Sequence, residues 1–316
     1  MLSILRPMRN LCLFTGLATA LALTQSPAQA QEALKKEPCF LWKISSKSNS
    51  IHLLGSMHVV KADMFPLPAE MEDAYAKSGS LVVEVNTEKI DQAAMLKLVK
   101  AKGMYPPGES LSKSVSKETM DSLREYCTRK KLNAANLEPF RPWMVKMTLA
   151  VVELQAQGHS TDGIDKHFLK KAAADKKNIL EMETAEEQLD LFASFPPQLQ
   201  EKLLAKTLTD LAGIKELMEK LTSAWKSGDL KAMEKASFGD PAKTSPETKT
   251  MLVKMFDERN VKMAEKIEGY LNGKDSCFVV VGAGHLVGEQ GILQLLRNKG
   301  FQIEQVMRVP VRIKGG

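Results

Sequence analysis

Two short segments of the sequence pair glycine with histidine at the same spacing, Gly55-Ser56-Met57-His58 and Gly282-Ala283-Gly284-His285. Each follows an apolar run typical of a buried strand. In both, the glycine would allow a tight turn and a close approach of a ligand to the backbone. An imidazole can serve as a general base at neutral pH or as a metal ligand. A lone histidine after a strand is usually structural, but two matching segments far apart in the chain indicate one shared site.

Glu84 is the third candidate, because its carboxylate interrupts the apolar run 81–85 (LVVEV). A lone carboxylate in a dry interior costs roughly several kcal/mol unless it is paired or ligated. If this strand lies beside the strand of His58, the two histidines and Glu84 form a set that can bind a divalent metal ion and leave positions open for water. The same set can act without metal, with histidine as general base and glutamate as orienting group or acid. A structural pairing of Glu84 with an arginine is the remaining alternative.

Arg259 is the cation best suited to such a site. It lies beside Asn260 in a helical stretch, where a guanidinium can bind a substrate carboxylate or phosphate, or can pair with Glu84. Other polar residues are weaker candidates, since residues of these types at helix starts usually cap the helix. The weaker candidates are Arg141, Asp165, His167 and Glu183, and no role is assigned to His52 or His159.

The elements that would position these residues alternate between strand and helix at both ends of the chain. Apolar runs at 40–44 and 51–54 flank a serine-rich turn and predict a β-hairpin, and further strands are predicted at 81–85, 277–281 and 301–306. Continuous apolar strands followed by helices indicate a sheet that is covered on both faces.

The middle of the sequence, from 89 to 263, has mostly helical periodicity, with one short strand suggested at 178–181. We therefore predict an α/β fold in which N- and C-terminal strands build a mixed central sheet and a large helical insertion separates them. Ligands of such sheets bind beyond the carboxyl ends of the strands, where both Gly-x-x-His segments are expected.

The first thirty residues have the composition of a secretory signal. Arg6 and Arg9 precede an apolar run at 11–23, and Ala28-Gln29-Ala30 places small residues where a signal peptidase cuts. We expect a cleaved signal at 1–30, a mature domain at 31–316 and a periplasmic or secreted protein, with a retained anchor as the alternative. No later run is long and apolar enough for a membrane helix. The net charge of +6, with both signs interspersed, gives no indication of a nucleic-acid partner.

The motifs together resemble the TraB/GumN family. Their order and spacing along the mature chain carry the resemblance more than any single motif does. The matching segments are LWK (41–43), LGSMH (54–58), PLP (66–68), LVVE (81–84), RPW (141–143), GIDKH (163–167), ETAEEQ (183–188), ERN (258–260) and VGAGHLVG (281–288). Ser56 and Met57 stand where many relatives carry Thr and Ile or Val.

This resemblance implies kinship with the Tiki metalloproteases and, more distantly, with erythromycin-esterase-like and haem-binding proteins. It implies that His58, His285 and Glu84 form the site and that Arg259 corresponds to the family arginine. Family membership does not fix the reaction, since peptide hydrolysis and pheromone inhibition are both roles proposed within it.

The leading hypothesis is an exported metal-dependent hydrolase that cleaves a peptide or ester bond of a peptide or small-molecule substrate. His58, His285 and Glu84 would hold zinc, manganese, cobalt or iron, and Arg259 would stabilise the developing oxyanion. The alternative is a non-catalytic protein that binds haem, a metal or a peptide in the same crevice. A third hypothesis, an interaction protein that uses its helical insertion, depends only on the length of that insertion.

Overall fold

The computed structural model describes residues 36–309 of the chain. Six strands in this part form one sheet in the order β4-β3-β5-β2-β1-β6. The strands are β1 (Glu37–Ser45), β2 (Ser50–Ser56), β3 (Ser80–Val83), β4 (Asn178–Glu181), β5 (Cys277–Gly282) and β6 (Gln302–Arg308).

Strand direction divides the sheet into two parts. β2, β5, β3 and β4 are parallel neighbours, whereas β1 pairs antiparallel with both β2 and β6. The carboxyl ends of the four parallel strands therefore lie at one edge of the sheet. The predicted α/β class, with a mixed sheet of N- and C-terminal strands, is confirmed, and the short strand at 178–181 joins the sheet from within the helical region.

Helices make up most of the chain between β3 and β5. The helices of the described part are α1 (Ala69–Lys77), α2 (Gln92–Gly103), α3 (Leu111–Ser114), α4 (Lys117–Lys130), α5 (Pro142–Ala156), α6 (Ile164–Ala174), α7 (Ala185–Ala193), α8 (Pro197–Asp210), α9 (Ile214–Ser227), α10 (Leu230–Phe238), α11 (Pro246–Leu252), α12 (Glu258–Asn272) and α13 (Ile292–Asn298). A π-helical turn, Val253–Asp257, joins α11 to α12, and a 3-10 turn, Ala283–Leu286, follows β5.

The sheet forms the centre of the main hydrophobic core. Every residue of β3 and β5 is buried, as expected for central strands with continuous apolar sequence. Rings from α1, α6 and β5 pack together, with Phe278 lying 4.8 Å from Phe168 and 5.8 Å from Tyr75 between ring centroids. A second cluster, which includes Leu123, Val145 and Leu204, joins α4, α5 and α8. The helical region therefore has a hydrophobic core of its own.

Two expectations from the sequence, one strand boundary and one strand neighbour, need correction. The strand predicted at 81–85 ends at Val83, so Glu84 follows the strand instead of interrupting it. The strand of Glu84 is separated from that of His58 by β5. The predicted signal at 1–30 lies outside the described residues, among which no helix is long and apolar enough to cross a membrane.

Candidate active site

The four parallel strands each deliver one ionisable side chain to the same edge of the sheet. His58 follows β2, Glu84 follows β3 directly, His285 lies in the 3-10 turn after β5, and Glu183 follows β4. In the order of the sheet, the residues run Glu183, Glu84, His285, His58. The predicted convergence beyond the carboxyl ends of the strands is thus present in the structure.

Glu84 is a buried carboxylate with a full set of donors. Its Oε1 accepts a hydrogen bond of 2.6 Å from the backbone N–H of Gly282. Its Oε2 accepts from Nη2 of Arg259 at 2.8 Å and from Nε2 of Gln188 at 3.3 Å. Burial favours the neutral acid, but His285, which is protonated at the low pH where Glu84 titrates, acts with His58, Arg259 and the Gly282 bond to lower the pKa of Glu84 to about 2. Glu84 is therefore an anion at neutral pH.

His285 is buried, and its protonation follows from its neighbours. Its Nδ1 lies 2.6 Å from Oδ1 of Asn260, whose amide nitrogen donates to the carbonyl of Gln290 at 2.8 Å. Because that carbonyl can only accept, Asn260 must present its oxygen to the ring, and Nδ1 of His285 must carry the proton. Nε2 then has a free lone pair 3.8 Å from Oε1 of Glu84. Burial lowers the pKa of His285 to about 4 against the opposing charge of Glu84, so the ring is neutral.

His58 occupies the open side of the same site, with 57% of its side chain exposed. Its Nδ1 lies 3.2 Å from Oδ1 of Asp165, so the two side chains form an ion pair when His58 is protonated. Removal from water on its inner side lowers the pKa of His58, but the carboxylates of Asp165 and Glu84 outweigh this and raise it to about 9. The two histidines therefore differ in charge, with His58 cationic and His285 neutral.

Gly282 marks the point where these side chains meet. A Cβ at this position would lie 3.3 Å from both Oε1 of Glu84 and Nε2 of His58, and 3.5 Å from Cδ2 of His285. Neither Gly55 nor Gly282 has a positive φ, so the expected strained turn is absent. Gly55 instead allows close packing, since a Cβ there would lie 2.5 Å from the ring of Phe40. Gly55 and Gly282 therefore leave room for neighbouring side chains, and neither is required by a left-handed backbone conformation.

Arg259 is held as a rigid partner of the carboxylates. Its Nε and Nη2 donate to the two oxygens of Glu183, both at 2.7 Å, and its Nη1 donates to the carbonyl of Met255 at 2.8 Å. Nη2 also donates to Glu84, so the pairing of Arg259 with Glu84 that the sequence suggested is present. The π-helical turn Val253–Asp257 lies directly before Arg259, and its Phe256 ring packs 5.0 Å from His285. Such turns occur often at functional sites, where they redirect side chains.

A cavity of about 530 Å³ opens above these residues. Its floor contains His58, Glu84, Arg259 and His285. Its walls are mostly apolar and come from α5, α7, α9 and α10, the helices of the region between β3 and β5. A mainly apolar pocket with a few convergent polar groups is the usual form of a small-molecule or substrate site.

Of the weaker candidates, Asp165 and Glu183 lie at the site, whereas His167 and Arg141 do not. His167 contacts Glu72 of α1 at 2.7 Å, and the guanidinium of Arg141 lies 5.1 Å from the ring centroid of Tyr105. His159 lines a separate cavity, and His52 lines neither that cavity nor the one above Glu84. Glu183, expected to serve as a cap, is instead the main partner of Arg259.

Asn260 and Gln188 are the site residues that sequence reasoning missed as contributors. Their only signal was position, since Asn260 follows Arg259 and Gln188 lies in the segment ETAEEQ. Among residues 36–309, no three side chains of metal-ligating type are spaced as a ready ligand set. The metal site predicted from His58, His285 and Glu84 is therefore not preassembled, although all three face Gly282.

Comparison with known proteins identifies relatives that match most of the chain. The chain is 26% identical to "Uncharacterized protein YbaP" of Escherichia coli (strain K12) over 247 residues, which cover 78% of this chain and 87% of that protein. It is 22% identical to "Metalloprotease TIKI2" of Danio rerio over 358 aligned positions, which cover 95% of this chain and 67% of that protein. No solved structure matches significantly. The model of the TraB/PrgY/gumN family matches residues 40–305, from the first strand to the last, and the chain therefore belongs to that family.

Proposed function

We propose that this protein is a hydrolase of peptide or ester bonds that uses His58, Glu84 and His285 as its central groups. One observation carries the proposal: two imidazoles and one buried carboxylate meet around Gly282 on the floor of a largely apolar cavity. Groups whose environments push their pKa values apart are typical of acid–base pairs. The match to a relative whose name is "Metalloprotease TIKI2" supports the same class of reaction.

The protonation states assign each residue a role in a metal-free reaction. Nε2 of His285 has a lone pair and can accept a proton from an attacking water molecule. Glu84, 3.8 Å from that nitrogen, would stabilise the imidazolium that forms. His58 already carries a proton and can donate it to the leaving group. The mostly apolar walls lower the polarity beside these groups and so strengthen their charge interactions.

Arg259 holds the carboxylate of Glu84 in position. Four of its N–H bonds are occupied by Glu183, Glu84 and the carbonyl of Met255. Since a guanidinium has five donors, one remains for a substrate oxygen. We therefore assign Arg259 mainly to the positioning of Glu84, and only secondarily to an oxyanion.

A divalent metal ion is part of the proposal, and the donors fit one in their chemistry. His58 and His285 turn Nε2 toward the pocket while Nδ1 contacts Asp165 or Asn260, the outer arrangement found around metal-bound histidines. Together with Glu84 they would hold zinc, manganese, cobalt or iron. Both histidines would then bind the ion as neutral rings through Nε2, so the general-base and general-acid roles given above belong to the metal-free form of the proposal. The ion would supply polarisation of the scissile carbonyl and a bound water of lowered pKa.

Export is proposed from the signal-like composition of residues 1–30, with the periplasm or the extracellular medium as the destination. A fractionation experiment that compares the full chain with a chain lacking residues 1–30 tests this. The full chain should appear outside the cytoplasm in a shortened form. A full-length cytoplasmic product would contradict export without affecting the assignment of the site.

Hydrolysis is tested with peptide and ester libraries on the wild type and on Glu84→Gln. The variant should lose activity by about 10³-fold or more, because an amide of the same shape cannot stabilise an imidazolium at His285. Glu72→Gln is the matched control, since Glu72 is also a partly buried, ion-paired glutamate but lies on α1 away from the cavity. Equal turnover by wild type and Glu84→Gln would refute the proposal.

The metal is tested separately, by elemental analysis of untagged protein followed by chelation and add-back of each ion. Restored turnover with one ion would support a metal enzyme. Full activity in chelator, with no metal in the protein, would reject the metal but retain a histidine–glutamate hydrolase. A haem absorption band that depends on both histidines, without any turnover, would favour the non-catalytic alternative.

A further inference from the structure

The cavity separates charge from apolar surface. Its ionisable lining residues are His58, Glu84, Arg259 and His285, all of which lie at the sheet edge. The walls contribute only Ser56, Ser237 and Gln188 as other polar side chains, and Gln188 is occupied with Glu84 and Glu183. A substrate group that extends away from the reacting bond therefore meets no charged partner among the described residues of this pocket.

Methionine is the most frequent residue type in the lining of the cavity. Five methionines line the cavity, from five different segments of the chain: Met57, Met147, Met218, Met233 and Met255. Methionine is unbranched and polarisable, and it fits ligands of irregular or variable shape by changing rotamers. Leucine and phenylalanine fill the spaces between them, in the residues Leu154, Leu191, Phe192, Leu217, Leu221 and Phe256. This composition suits a flexible apolar group better than a rigid polar one.

The apolar lining continues out of the cavity to solvent. Met147 on α5 is 39% exposed and Leu217 on α9 is 42% exposed, and both also line the cavity. Val151, one turn after Met147, is 36% exposed as well. Exposed apolar residues that adjoin a pocket indicate a binding surface, whereas single ones elsewhere need no explanation. An apolar chain could thus be bound from the floor to the rim.

We propose that the site selects substrates in which a flexible, uncharged apolar chain adjoins the scissile carbonyl. The inference deepens the proposed hydrolase function and rests on it for the scissile bond, while the binding of the chain rests on the wall alone. The shared chemistry is found in a medium-length fatty acyl group and in a peptide segment with flexible apolar side chains such as leucine and methionine. Acidic, basic and strongly polar neighbours of the scissile bond are excluded because the walls offer them no partner.

Binding is measured first, with the neutral fluorescent probe N-phenyl-1-naphthylamine. In the Glu84→Gln background, the bound probe should be displaced by N-octanoylglycinamide or by acetyl-Leu-Met-Leu-amide, and the more effective of the two identifies the natural source of the chain. N-acetylglycinamide and acetyl-Glu-Ser-Glu-amide should displace it at least about 100-fold less well, since each buried methylene contributes roughly fourfold. Equal displacement by the polar and apolar compounds would overturn the inference.

The wall is tested with Leu217→Glu, an exposed position at which a charge does not threaten folding. This variant should bind the probe at least about tenfold more weakly, because its carboxylate adjoins the path of the apolar chain. Leu96→Glu is the matched control, since Leu96 is an exposed helical leucine (54%) that does not line the cavity, and it should bind like the parent. Unchanged binding by Leu217→Glu would place the apolar ligand elsewhere.

Hydrolysis of p-nitrophenyl esters separates this inference from the proposed function. A kcat/KM that rises from acetate to octanoate in the wild type supports both. Turnover that is independent of chain length would leave a hydrolase but overturn the selection of apolar chains. Tight apolar binding without any ester or peptide turnover would refute the hydrolase and retain the apolar site.

Discussion

Oδ1 of Asn260 accepts a hydrogen bond from Nδ1 of His285 at 2.6 Å, and this contact decides which nitrogen of the imidazole faces Glu84. The orientation of the amide is itself fixed, since its nitrogen donates to the carbonyl of Gln290. Helix α12 thus supplies two neighbouring residues with separate tasks. Arg259 orients the carboxylate of Glu84, and Asn260 orients the base beside it.

Replacement of Asn260 by alanine should remove the hydrogen bond that orients the imidazole of His285. We expect kcat, or the affinity for an added metal ion, to fall by about 10–100-fold, the usual cost of losing an outer partner of a functional histidine. KM should change little, because Asn260 does not line the cavity. Steady-state kinetics on the best library substrate measure the split. Val261→Ala, an exposed neighbour on α12, is the control, and equal losses in both variants would contradict the role of Asn260.

Asp165→Asn should act on the other histidine. The carboxylate stabilises the proton on His58, so its loss should move the titration of the His58 ring toward lower pH. NMR titration of the His58 imidazole in metal-free protein follows this directly. An unchanged titration would show that Glu84 alone sustains the charge of His58.

Arg259→Lys should weaken both the fold and the site. A lysine retains the charge but cannot make the two-pronged contact with Glu183 while also reaching Glu84. We expect the free energy of unfolding to fall by about 1.5–3 kcal/mol, the range for a lost hydrogen bond to a charged group. Urea denaturation measures it. Stability like that of the wild type, together with full activity, would show that charge alone suffices at this position.

Gly282→Ala should block the site without unfolding the protein. The added methyl group would lie 3.3 Å from Glu84 Oε1 and His58 Nε2, where the reacting groups meet, so we expect an activity loss of about 100-fold from misplacement. Gly269→Ala on α12 is the control. A Cβ there meets nothing within 4 Å, and the variant should be fully active and somewhat more stable, because alanine favours a helix. Activity near wild type in Gly282→Ala would move the reacting centre away from this point.

The strands of the site were predictable because short, continuous apolar runs bounded by turn residues are typical of buried strands. Asn178–Glu181 was predicted from four residues and is the edge strand that brings Glu183 to the site. The order of the strands was not predictable, since nothing local to Glu84 records that β5 lies between it and the strand of His58. Sheet order depends on long-range packing, whereas strand propensity is local.

The site was predictable only where a residue type was unusual in its surroundings. Glu84 and the two histidines stood out beside apolar strands. Glu183 and Asn260 did not, because glutamate before a helix and asparagine within one are common. The methionine wall was also hidden, since it assembles from segments that are far apart in the chain.

The helical wall has its own dependence on pH, through Glu153 on α5. This buried carboxylate accepts a hydrogen bond of 3.0 Å from the hydroxyl of Tyr126 and pairs with Lys130 at 2.7 Å, so it anchors α5 to α4. Burial would raise the pKa of Glu153, but these two partners outweigh it and lower the pKa below the ordinary 4.5. The unfolded chain therefore binds a proton at a higher pH than the folded chain does. The stabilisation is complete above about pH 4.5 and is lost as the pH falls through the folded value.

Glu153→Gln removes this titration while keeping an acceptor for Tyr126. The stability difference between wild type and variant should be largest near pH 6 and should shrink toward pH 3, as measured by urea denaturation at each pH. Glu125→Gln, an exposed pair with Arg129 on α4, should show little difference at any pH, since exposed ion pairs contribute little. A Glu153→Gln difference that stays constant with pH would assign the role of Glu153 to packing alone. Because Met147 and Leu154 lie on the same helix, probe binding in the cavity should weaken with acid in parallel with the wild-type stability.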